Sequence, residues 1–153
     1  MKFARFSMLA AVALTAFAMA APAEARRGAP AEPTTHQIEP VLNDPEFATA
    51  TEGVRFFFGN QPHPAVAQRI EQNVTTARPA RSRFRDAEMA CQRAMLNSLV
   101  ALRDYALRHG GNAVINIRSN TNLLERSSRT EYQCVAGRMR ATAALKGDVV
   151  RLR

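Results

Sequence analysis

Residues 86–117 read DAEMACQRAMLNSLVALRDYALRHGGNAVINI, and this stretch decides the fold. From Ala87 to Leu107 it contains no Pro or Gly and is dominated by Ala, Leu, Met, Arg and Gln, all good helix formers. Asp86 is placed to act as N-cap, and Glu88 puts a carboxylate in the first turn. His109 lies in the last turn, and Gly110-Gly111 supplies a left-handed C-cap. From Asn112 to Ile117 the period becomes alternating, which predicts a strand with Ala113, Ile115 and Ile117 on one face.

On a helical wheel, Cys91, Met95, Leu99, Leu102 and Ala106 form one stripe, predicted to face a sheet. Arg93, Asn97, Asp104 and Arg108 fall on the opposite, solvated side. A second apolar stripe, Met89, Leu96, Val100 and Leu107, runs along the flank and must be covered. Either the N-terminal part of the same chain packs there, or a second subunit does, which makes a homo-oligomer an expected partner.

Outward from this core, residues 1–25 read as a targeting segment. Lys2 and Arg5 form a positive n-region and Met8–Ala21 a short apolar run. Ala18-Met19-Ala20 and Ala23-Glu24-Ala25 are two small-residue cleavage signatures, so the mature chain is expected to begin near Ala21 or Arg26. The apolar run is too short for a stable spanning helix, and no Cys follows for lipid attachment. The expected product is a periplasmic chain without a transmembrane segment. The formal charge of +8 falls only to about +7 on cleavage. A basic exported protein is not expected to meet nucleic acid; its anionic partners would be lipid head groups, lipopolysaccharide or acidic envelope polymers. A merely soluble basic surface is the bland alternative.

Residues 26–51 carry Pro30, Pro33, Pro40 and Pro45 and no sustained apolar period, so they read as an irregular Pro-rich lead. Ile38, Val41, Leu42 and Phe47 could dock on the domain. Gly53–Gly59 reads as a strand with Val54, Phe56 and Phe58 inward, and Asn60–Pro64 as a turn. A second strand is favoured around Val66–Thr76. Arg78, Arg81, Arg83 and Arg85 crowd the approach to the helix, where cations oppose its dipole. They are either solvated loop charge or a candidate anion-binding cluster. Ser119–Ser128 reads as a polar loop and Thr130–Ala136 as a strand with Tyr132, Cys134 and Ala136 on one face. The inward set then shifts to Met139, Ala141, Ala143 and Leu145, which predicts a β-bulge at Gly137. The expected fold is α+β, a small mainly antiparallel sheet of about four to five strands packed against one long helix, all within residues 52–153.

No phosphate-binding loop or Gly-x-Ser-x-Gly elbow is present. His36, His63 and His109 lie beside no nucleophile in sequence. The reading is therefore non-enzymatic, with no cofactor, although a hydrolase site assembled in space stays open. The two cysteines carry the most specific signal. Cys91 on the core stripe and Cys134 on an inward strand face point to a disulfide in an exported protein. The alternative is a metal site using Cys91, Cys134 and His63 or His109, although no paired ligand motif supports one.

Cys91 in the helix, Gly110–Ile117, Glu131–Gly137, Ala144–Gly147 and Phe56–Pro64 together resemble a group of small exported bacterial proteins of unknown function. Some of them bear an excinuclease ATPase-subunit label that this chain, lacking a nucleotide loop, does not fit. More distantly, the helix followed by Gly-Gly-Asn-Ala-Val is similar to the YbjQ-type heavy-metal-binding domain and to the RcsF-type envelope lipoprotein domain. The resemblance implies a small α+β sheet on one helix and, from the YbjQ type, oligomer formation. It implies no ligand set, because no such set maps onto these residues.

Overall fold

A computed structural model of the chain describes residues 31–82 and 86–153. The targeting segment read at residues 1–25 lies outside the described residues, as do Arg83 and Arg85. The described chain runs β1 (Thr34–Gln37), α1 (Glu39–Leu42), α2 (Pro45–Ala50), β2 (Arg55–Phe58), β3 (Val66–Arg81), α3 (Ala87–Arg108), β4 (Ala113–Thr121), β5 (Leu124–Arg126), β6 (Glu131–Ala136) and β7 (Arg140–Leu152). The class is α+β with a seven-stranded sheet, more strands than the four to five expected. The sheet is mixed, because β2 joins β4 in parallel while the other pairs are antiparallel.

The 13-residue β7 is the hub. It pairs along its length with the 16-residue β3, and on its other side with β4 and then β6. Outside these lie β2 beside β4 and β1 beside β6. β3 is an edge strand, which is why Pro79, with no N–H to donate, is tolerated in it. Helix α3, 22 residues long, packs one face of the sheet through Cys91, Met95, Leu99, Leu102 and Ala106, all fully buried. Asp86 sits at its N-cap without a side-chain capping bond, contrary to expectation. Gly110 takes the left-handed conformation at the other end (φ +77°), and Arg151 donates from Nε and Nη2 to its carbonyl at 3.0 and 2.7 Å.

The expected irregular lead is structured from Thr34 onward. β1 pairs with β6, and Ile38 and Val41 are buried in the main core. The prolines that suggested irregularity serve the helices instead, since Pro40 and Pro45 stand in the first turns of α1 and α2. Residues 119–128, read as a loop, hold a hairpin. β4 continues to Thr121 and turns through Asn122 and Leu123, both at positive φ, into β5. The β-bulge expected at Gly137 is a hairpin turn: Ala136 pairs with Ala141, the Gly137 N–H donates to the Arg140 carbonyl, and Met139 is 77% exposed at the tip. A hairpin reversal produces the same apparent change of parity as a bulge, because it restarts the alternation on a new strand.

Bulges do occur, at asparagines. Asn73 in β3 (φ +60°) and Asn116 in β4 (φ +54°) interrupt the registers on either side of β7. Asn tolerates the left-handed region better than most residues. Both point polar groups at the buried Asp148 of β7: the Asn73 N–H donates to Oδ1 at 2.9 Å and Asn116 Nδ2 to Oδ2 at 3.3 Å. The β4 bulge also moves Ile117 off the expected face. Ala113 and Ile115 join Val150 and Leu152 in a second cluster with Phe57 and Val66, while Val114 and Ile117 enter the core under α3.

Candidate functional site

Cys91 and Cys134 form a disulfide between α3 and β6, with Cα atoms 5.8 Å apart and both residues fully buried. The pairing follows from two periodicities. The i, i+4 helix stripe turns Cys91 inward, and strand alternation turns Cys134 inward with Tyr132. Beside them β1 places Thr34 opposite Cys134 and His36 opposite Tyr132. The His36 and Tyr132 rings lie 5.5 Å apart, and a ring nitrogen of His36 is within 4.8 Å of the two sulfurs. Tyr132 is 2% exposed, and its hydroxyl has no hydrogen-bond partner among the described residues. Burial first, then the charge of Glu88, pushes its pKa well above the usual tyrosine value. The sequence gives His36 no role, because only the β1–β6 pairing, between segments far apart in the chain, brings it here.

His63 and His109, the other proposed metal ligands, stand elsewhere. His63 rests its ring against Phe57, and His109 stacks on Tyr105 at 4.1 Å and bonds its carbonyl oxygen. Among the described residues no serine bonds a histidine. Ser98, mid-helix and buried, is a joint between α3 and the sheet: its Oγ donates to the Ala143 carbonyl at 2.7 Å and accepts from the Arg78 N–H at 3.0 Å.

The structure separates the two described members of the arginine cluster. Arg78 lines a groove between β3 and α3 with Val100, Asp104 and Arg108. Arg81 lies between two open hollows at the other end of the helix. One is shared with Asp86, Met89 and Arg93, the other with Ser82, Met139 and Arg140. Among the described residues Arg81, Arg93 and Arg140 form no ion pair. Met89 is 56% exposed in the first hollow, and Met139, at the hairpin tip, lines the second. Reading α3 alone grouped Met89 with Leu96, Val100 and Leu107. That flank is divided in the fold: Leu96 belongs to the core, Val100 is half-buried, and Met89 and Leu107 are exposed at opposite ends. No helix among the described residues is long and apolar enough to cross a membrane.

Comparison with family models, curated proteins and solved structures finds no match to this chain.

Proposed function

We propose that the protein is an exported, non-enzymatic binding domain that docks its α3 N-terminal end on an anionic component of the cell envelope. The observation that carries this reading is the surface made by Arg81, Arg93 and Arg140, three guanidinium groups without carboxylate partners among the described residues, flanked by exposed Met89 and Met139. Guanidinium groups bind phosphate oxygens in bidentate fashion, and thioether side chains insert into the boundary between head groups and acyl chains. Among the described residues Asp86 is the one acid lining these hollows, so the patch keeps a positive balance that matches the chain's net charge of +8. The disulfide is compatible with the oxidising compartment that this role requires.

Vesicle co-sedimentation tests the reading. The oxidised protein should bind vesicles containing phosphatidylglycerol and leave phosphatidylcholine vesicles unbound, with affinity falling as salt rises. At about 1 kcal/mol per arginine, the triple variant Arg81→Ser, Arg93→Ser, Arg140→Ser should lose roughly a hundredfold in affinity. Equal binding to both lipids, or a triple variant that binds as the parent does, would overturn the proposal.

A further inference from the structure

The layer between α3 and the β1–β6 pair gathers more than a disulfide. One nitrogen of His36 and the sulfurs of Cys91 and Cys134 all lie within 4.8 Å of one another, with both cysteines buried and His36 half-buried. A hydrogen bond also holds the imidazole in place. The Thr34 hydroxyl has a single hydrogen and donates it to the Cys134 carbonyl at 3.2 Å. The same hydroxyl lies 2.7 Å from His36 Nε2, and with its hydrogen on the carbonyl it accepts there from the Nε2–H tautomer. That tautomer holds a lone pair on Nδ1. Metal-ligating histidines are prepared in this way, with one nitrogen donating to a fixed oxygen so that the other is free to coordinate. Tyr132, packed against His36, adds a buried hydroxyl that has no partner among the described residues.

We propose that, once the disulfide is reduced, Cys91, Cys134 and a ring nitrogen of His36 form a two-sulfur, one-nitrogen site for a thiophilic d10 cation, copper(I) or zinc(II). Reduction takes two electrons from an external reductant and yields two thiols: a thiol also supplies the two protons and becomes its own disulfide, whereas a phosphine becomes its oxide and water supplies the oxygen and both protons. Cation binding then releases those two protons and leaves two thiolates on the metal. Thiolate and imidazole donors suit both ions. Copper(I) is satisfied by three such donors, whereas zinc(II) completes a tetrahedron with water. The disulfide and the metal are thus alternative occupants of one place in the fold. The site does not depend on the arginine surface, so either proposal can fail without the other.

The test uses the full chain, reduced anaerobically with a phosphine, checked by circular dichroism, and titrated separately with zinc(II) and copper(I) against a chelator competitor. The reduced protein should bind one equivalent of one or both ions, the successful arm naming the cation, and the oxidised protein should bind neither. Bound metal should protect both thiols from alkylation. His36→Ala should weaken binding tenfold or more, and Thr34→Val, which frees the ring, should weaken it while leaving both thiols in place. If the reduced chain is unfolded, the cation should restore the native spectrum in the parent and not in His36→Ala. Failure to bind either ion, binding no tighter than that of the urea-unfolded reduced chain, or an unchanged affinity in His36→Ala would each overturn the assignment.

Discussion

Strand β7 passes through two unlike neighbourhoods. Along Leu145–Val150 it lies between β3 and β4, with the second apolar cluster on one face and α3 on the other. The close fit there leaves no room at Gly147, where an added Cβ would meet Val114 Cγ1 at 2.7 Å. Along Arg140–Ala144 the same strand keeps β3 on one side but pairs with β6 through only Val135–Thr142 and Ala136–Ala141. β6 in turn carries the four-residue β1. In this half the disulfide joins β6 to α3, so a covalent link stands where backbone pairing is sparse. Packing and register hold the first half, and a crosslink holds the second.

The largest effect should come from breaking the crosslink. The double variant Cys91→Ala, Cys134→Ala opens a loop of sequence separation 43. The chain-entropy model puts that loss at about 4 kcal/mol, read as a drop in denaturation midpoint. Next, Leu99→Ala on the core stripe of α3 should cost about 3 kcal/mol, since a fully buried leucine is replaced by a cavity. A smaller loss for the cysteine variant than for Leu99→Ala would mean that the β1–β6 half does not depend on its staple.

These two variants act at positions that the sequence declared, and others act where it was silent. The α3 stripe, its Gly-Gly stop and the inward cysteines were legible because helical and strand periodicities are local signals. The partnership of β1 with β6 was not, since Thr34–Gln37 has no apolar alternation of its own and becomes a strand only by pairing with residues 131–134. The bulges at Asn73 and Asn116 were equally hidden. Each is a single asparagine without a flanking glycine, and its hydrogen-bond partner, Asp148, is distant in sequence. The arginine surface was half visible: Arg81 was in the predicted cluster, but Arg93 and Arg140 join it only through the fold.

Asp148→Ala sharpens the contrast from the packed side. It removes the acceptor of both asparagine bonds and should cost about 2 kcal/mol, with the loss of protection centred on the β3 and β4 bulges. A change within error would mean that water replaces the carboxylate without penalty.

The smallest effect has the opposite sign. Tyr132→Phe in the stapled half deletes a buried hydroxyl with no partner and should stabilise by about 1 kcal/mol at neutral pH. The parent tyrosine ionises near its ordinary value of about 10 when unfolded and well above it when folded. Its proton therefore supports the fold fully below that pH, and the support is lost as pH rises beyond it. The variant should lack this part of the alkaline decline in stability. A destabilised Tyr132→Phe protein would show that the hydroxyl has a partner after all.

Amide hydrogen exchange on the oxidised and the reduced protein, both kept metal-free with a chelator, tests the two-part account most directly. Reduction should speed exchange in β1 and β6, residues 34–37 and 131–136, while β3, β4 and the Leu145–Val150 stretch of β7 keep their protection. A uniform loss of protection across the sheet, or unchanged exchange in β6, would contradict it.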